Sequence, residues 1–165
     1  MSRAPSVLFV CTGNICRSPT AEGVLRAMLA REGVTAEVAS AGLIGYHQGE
    51  PPDPRSQAVA ATRGYDLSPL RARAVTADDL ERFDHVWVMD RGHLNILRRR
   101  FGERPHVRLF LEATAPVGVA AREVPDPYDG NEAGFRRVLE LIEAGCKAAV
   151  ELWRHEGAPP GLRGT

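Results

Sequence analysis

The sequence predicts a single α/β domain built on an open four-stranded parallel sheet with helices on both faces. Three observations carry this expectation. Short strand-like runs alternate along the chain with segments of helical periodicity. Strands joined by helices imply parallel neighbours with right-handed crossovers and a ligand site at the strands' carboxyl ends. A length of 165 residues suits one domain with one sizeable core.

The elements are taken in chain order. Val7 to Val10 is an apolar strand that runs into a loop beginning at Cys11. Ser18 is an N-cap candidate with Pro19 at the first helical position, and Ala21, Val24, Leu25, Met28 and Leu29 repeat on one face until Gly33 stops the helix. Glu37 to Ala39 reads as the second strand, and the Gly- and Pro-rich stretch 42–54 as a loop. Asp53-Pro54 opens another helix. His85 to Met89 is a buried third strand, 91–100 a helix and His106 to Phe110 the fourth strand. Phe135, Val138, Leu139, Ile142, Cys146, Ala149 and Trp153 mark one face of a long last helix, which makes Cys146 a core residue. The domain core is expected over 6–156, with 157–165 as a flexible tail.

The chemistry concentrates in Cys11-Thr12-Gly13-Asn14-Ile15-Cys16-Arg17-Ser18. A loop whose backbone N–H groups turn inward, followed at once by a helix N-terminus, makes a concavity for an anion the size of phosphate. The same positive field favours the thiolate of Cys11, the form in which sulfur is a nucleophile. Arg17 offers a planar fork of donors for two phosphoryl oxygens, and Ser18 can hydrogen-bond the sulfur. A cysteine after an apolar strand is ordinarily a small buried hydrophobe. That reading leaves the joint arrival of Gly13, Asn14, Arg17, Ser18 and Pro19 unexplained. A nucleotide-binding loop is excluded, because Gly-x-x-x-x-Gly-Lys-Ser/Thr is absent and the one lysine is Lys147.

The run Val10 to Glu22 resembles the active-site signature of the low-molecular-weight protein tyrosine phosphatases, and Val124-Pro125-Asp126-Pro127-Tyr128-Asp129-Gly130 resembles their Asp-Pro-Tyr loop. Ser40-Ala41-Gly42 and Gly49 to Arg55 are similar to two further loop segments of the family. The resemblance implies a Rossmann-like fold of the phosphotyrosine protein phosphatase I type. It also implies hydrolysis of phosphotyrosine monoesters through a phosphocysteine. Cys11 is then the nucleophile, Arg17 and Ser18 its catalytic partners and Asp126 the acid that protonates the leaving oxygen. Thr12, Gly13, Asn14, Ile15 and Cys16 would cradle phosphate, while Tyr46 and Tyr128 would wall the substrate ring, leaving a slot too deep for phosphoserine. Ile15 is bulkier than the Thr found in phosphoarginine-specific relatives. Cys16 lies near enough in sequence to form a protective disulfide with Cys11. The pattern departs from the family at two places. Asp129 replaces a second Tyr and would put a carboxylate at the pocket rim. Leu70 stands where a His usually binds the loop asparagine, so Asn14 must be held by Ser40 and backbone groups.

Composition narrows the partners. Lys plus Arg and Asp plus Glu are both 21, so nothing marks a nucleic-acid surface. The Arg98-Arg99-Arg100 run reads as a solvated helix end. The apolar runs are far short of the ~20 residues of a membrane helix, and no basic-then-apolar leader precedes Cys11. The expectation is a cytoplasmic monomer or weak dimer acting on phosphotyrosine proteins. Three cysteines and five histidines without ligand spacing predict neither a disulfide framework, a metal site nor a cofactor. The rival readings are an arsenate reductase, which needs further relay cysteines, a protein arginine phosphatase, and a binding module that would lack nucleophile or acid.

Overall fold

A computed structural model describes residues 3–156, and the expected tail 157–165 lies outside them. β1 (Ser6–Cys11), β2 (Glu37–Gly42), β3 (His85–Val88) and β4 (Val107–Leu109) form one sheet in the order β2-β1-β3-β4, with every neighbouring pair parallel. β1 is therefore flanked on both sides, and Cys11 ends it opposite Gly42.

Alternate residues of the central strands feed two separate cores. Val7, Phe9 and Cys11 join Trp87 and Met89 in one, whereas Leu8 and Val10 join Val86 and Val88 in the other. The period of two means that both sheet faces are covered. α1 (Arg17–Glu32), α2 (Pro54–Ala61), α5 (Phe110–Thr114) and α6 (Glu132–Glu156) supply the first core, and α3 (Ala77–Arg82) and α4 (Arg91–Phe101) the second. α6 buries the predicted face from Phe135 to Trp153 and packs along α1. Trp153 stacks on Trp87 at 5.7 Å between ring centroids and 8° between planes. Cys146 is fully buried there.

Strand ends differ from the sequence reading by a residue or so, β3 for example stopping at Val88, and the larger departures have local reasons. α1 starts at Arg17, so Ser18 is inside the helix and caps nothing; its hydroxyl is used by the site instead. β2 continues to Gly42 because Ser40, Ala41 and Gly42, small residues that read as loop, pair with Phe9, Val10 and Cys11. β4 stops at Leu109, and Phe110 opens α5. α3 has too little apolar periodicity to be seen; it is made by a capping box in which Thr76 and Asp79 bond each other's backbone N–H. The arginine run is also more than a solvated end, since Arg100 donates to the Leu43 carbonyl at 2.6 Å. Among the described residues no helix is long and apolar enough to cross a membrane.

Gly42 sets how closely the loop after β1 approaches β2. A Cβ there would stand 2.9 Å from the Gly13 carbonyl carbon and from the Thr12 oxygen. Only a residue without a side chain lets that loop lie against the strand end.

Candidate active site

The chain leaves β1 at Cys11 and enters α1 at Arg17, and this tight passage is shaped by one residue. Asn14 has φ +60°, the left-handed region that asparagine tolerates better than most side chains. Its side chain then locks the turn. Nδ2 donates to Ser18 Oγ at 2.8 Å and to Ser40 Oγ at 2.9 Å, and Oδ1 accepts the Arg73 backbone N–H at 3.0 Å. With both Nδ2 hydrogens used, each hydroxyl is an acceptor toward Asn14 and sends its own hydrogen onward. Ser40 donates to the buried Glu22 carboxyl at 2.6 Å. Ser18 donates to Cys11 Sγ at 2.9 Å, its other acceptor, the Ala41 carbonyl, being farther at 3.5 Å. Burial raises the Glu22 carboxyl above its usual range against the opposing bonds from Ser40 and Arg26. Leu70 packs on the apolar core and takes no part, so Ser40, Ser18 and the Arg73 backbone hold Asn14, as the leucine requires.

Arg17 is 3% exposed and is held from three directions. Its NH1 donates to Asp90 Oδ2 at 2.8 Å and to the Val124 carbonyl at 2.9 Å. Its NH2 lies 3.2 Å from His93 Nε2 and 3.8 Å from Asp126 Oδ2. Asp90 is the N-cap of α4 and accepts the His93 N–H. Burial pushes its carboxyl up, but the bonds from Arg17 and from the His93 N–H outweigh this and hold it below its ordinary value. Burial, with the Arg17 guanidinium alongside, pulls His93 down to about 4, so the ring is neutral at neutral pH.

Above the sulfur lies a cavity of about 250 Å³ lined by Cys11, Thr12, Gly13, Ile15, Cys16, Arg17, Ile44, Tyr46, His47, Asp126 and Tyr128. The structure thus gathers the predicted nucleophile, arginine, acid and ring-wall residues around one opening, with Asn14 and Ser18 buried beneath it. Asp126 accepts the Tyr128 N–H on Oδ1 at 3.0 Å, and its side chain is about half exposed. Tyr46 is the most open wall, with its ring edge-on to His47. Tyr128 is braced from behind by Arg55, which lies 5.2 Å from its ring centroid and donates to its carbonyl. Asp129, next to Tyr128, is exposed and is not among the residues that line the cavity. Cys16 lines the floor as a thiol, pushed up to about 12 by burial and by the nearby Asp53 carboxylate.

A sequence profile described as low molecular weight phosphotyrosine protein phosphatase matches residues 6–157. The chain belongs to that family. It is 44% identical over 152 residues to a low molecular weight protein-tyrosine-phosphatase of Streptomyces coelicolor, covering 87% of this chain and 92% of the relative. It is 35% identical over 149 residues to the human low molecular weight phosphotyrosine protein phosphatase, covering 88% of this chain and 94% of the relative. The crystal structure of YfkJ from Bacillus subtilis superposes with a TM-score of 0.86 at 34% identity, over 95% of this chain and 99% of that one.

As a member of this phosphatase family the chain leaves little to the arsenate reductase alternative. Its third cysteine, Cys146, is sealed in the core with no surface for relaying a disulfide. Sequence reasoning missed Asp90, His93 and the Val124 carbonyl. The first could have been found, because an aspartate directly after the third strand stands at the carboxyl end of a neighbour of β1.

Asp90→Asn should lower kcat/KM by up to about 10²-fold, since Arg17 loses a charged anchor and its fork shifts. The stability effect has a definite sign. A carboxyl held below its unfolded-chain value of about 3.9 stabilises the fold above that value and loses the contribution as pH falls through its folded one. Unfolding free energies of wild type and variant should therefore differ at neutral pH and converge on acidification. A gap independent of pH would show that the Asp90 charge does not anchor Arg17.

Proposed function

We propose that this phosphatase hydrolyses phosphotyrosine on protein substrates in two in-line steps, and that Cys11, Arg17, Ser18 and Asp126 carry them. The observation behind this reading is the stack at the cavity floor: Cys11 Sγ, hydrogen-bonded by Ser18 at 2.9 Å, below an opening flanked by Arg17 and Asp126. In the first step the Cys11 thiolate attacks phosphorus. The P–O bond to tyrosine breaks, and the Asp126 carboxyl gives its proton to the leaving oxygen. In the second step the Asp126 carboxylate takes a proton from water, the water oxygen attacks phosphorus and the S–P bond breaks. Phosphate leaves and the thiolate returns.

Charge placement supports the roles. Among the described residues no acceptor is bonded to the backbone N–H groups of 13–16, which leaves them for the equatorial oxygens that Thr12, Gly13, Asn14, Ile15 and Cys16 surround. Both NH1 hydrogens of Arg17 are spent on Asp90 and Val124, so its Nε and NH2 edge serves the phosphoryl group. Ser18 stabilises the sulfur anion as it departs. Tyr46 and Tyr128 receive the substrate ring, and the side chain of Ile15 fills space beside it.

Cys16 is the redox partner in this reading. Peroxide converts the Cys11 thiolate to a sulfenic acid, and the Cys16 thiol condenses with it, releasing water and forming a disulfide that a dithiol reduces. Both sulfurs must be reduced for turnover, which suits a reducing cytoplasm. Peroxide treatment followed by dithiol should restore wild type and leave Cys16→Ser largely inactive. Equal recovery of the two proteins would remove the protective role.

The acid is tested by a leaving-group series. Asp126→Asn should slow phosphotyrosine turnover by about 10² to 10⁴ and an activated nitrophenyl ester much less, because nitrophenolate leaves without a proton. Asp129→Asn, outside the cavity, should change neither by more than a small factor. A steeper leaving-group dependence in Asp129→Asn would move the acid to that carboxylate.

A further inference from the structure

His93 belongs to none of the roles above, yet it is 3% exposed and touches both the phosphate loop and Arg17. Nε2 lies 3.0 Å from Thr12 Oγ1 and 3.2 Å from Arg17 NH2, while Nδ1 faces the Asp90 backbone N–H at 3.2 Å. These contacts decide where the ring proton sits. Donor-only groups face both ring nitrogens, the Asp90 N–H at Nδ1 and Arg17 NH2 at Nε2, and a neutral ring can accept from only one of them. The Asp90 N–H has no other acceptor among the described residues, whereas Arg17 opens on the cavity and can donate there, so the ring hydrogen is assigned to Nε2. The competing contact from Nδ1 to Asp90 Oδ1 is longer, at 3.4 Å, and that oxygen already accepts the His93 N–H at 3.0 Å.

The tautomer matters for Arg17. An unprotonated Nε2 at 3.2 Å would accept an NH2 hydrogen and divert it from the substrate. A protonated Nε2 cannot. It donates to Thr12 instead and leaves the free edge of the guanidinium to the phosphoryl oxygens. We propose that His93 is a positioning residue of the phosphate site, fixed by the α4 N-terminus as its Nε2–H tautomer so that it clamps Thr12 and walls Arg17 without competing for its donors. This rests on the phosphate-binding reading of the site and adds a specific link, from the end of β3 to the loop after β1.

The test uses the whole protein and two variants. His93→Phe keeps a planar ring but loses the donor, and His93→Gln restores a donor that reaches Thr12. Binding of inorganic phosphate, measured by calorimetry, should weaken about tenfold in His93→Phe and stay within about threefold of wild type in His93→Gln. kcat/KM for phosphotyrosine should follow the same order. Long-range ¹H–¹⁵N spectra of wild type should show an unprotonated Nδ1 and a protonated Nε2. Phosphate bound equally by wild type and His93→Phe overturns the proposal, as does a protonated Nδ1 in the neutral ring. If both variants weaken equally, the ring acts through packing and the hydrogen-bond clamp is wrong. Phosphate binding that keeps the expected order in a wild type without turnover would refute the proposed reaction while sustaining the role of His93.

Discussion

The left-handed turn at Asn14 is the constraint on which the rest of the site depends. With φ at +60° the chain folds back within a few residues of β1, so the sulfur of Cys11, the loop N–H groups and the first turn of α1 face one space. A single asparagine side chain holds this conformation through three hydrogen bonds, to Ser18, Ser40 and the Arg73 backbone. Those bonds also orient two hydroxyls, so the loop's shape and the hydrogen bond received by Cys11 come from the same amide. Gly42 completes the arrangement by leaving room for the loop backbone against β2. A larger residue there would have to push the loop away or distort the strand end.

Arg17 extends that constraint across the sheet. Its NH1 spans Asp90 at the start of α4 and Val124 at the start of the acid loop, and the Val124 N–H in turn donates to the Met89 carbonyl at the end of β3 at 2.8 Å. The phosphate loop, the third strand and the segment bearing Asp126 are therefore joined through one buried guanidinium. Such a group costs much desolvation unless its donors are satisfied. Here one end is fully satisfied by protein and the other is left for an anion, so the charge is fixed before substrate arrives and little reorganisation accompanies binding. Arg55 plays the corresponding part at the outer wall. It is bonded to Asp53 at the cap of α2 and to the Tyr128 carbonyl, and it lies between the rings of Tyr128 and Phe135.

How much of the molecule is readable in the sequence depends on how local each contact is. Cys11 to Ser18 lie on one loop, where residue types and spacing already state the chemistry. The parallel sheet and its two-faced burial are legible from short strands joined by amphipathic segments, and α6 from seven periodic residues. Asp126 is legible through resemblance alone, because an aspartate before proline is common in turns. His93 carries no local signal and Asp90 only its place just beyond the third strand: both reach Arg17 from more than 70 residues away, and their geometry comes from the N-terminus of α4. Ser18 reads as a cap because its type and its neighbour Pro19 fit that role equally well. The residue types also allow its hydroxyl to serve the sulfur, and the start of α1 at Arg17 leaves it that role and not the cap.

The central claim is that phosphate passes through Cys11. Rapid mixing of the enzyme with a phosphotyrosine substrate, acid quenching within a turnover and mass spectrometry of the digested protein tests it most directly. One phosphoryl group should appear on Cys11, with none on Cys16 or Cys146, and it should decay as inorganic phosphate forms. Turnover with no phosphorylated Cys11 at any quench time, or a phosphoryl group on another residue that forms and decays at the catalytic rate, would contradict the account.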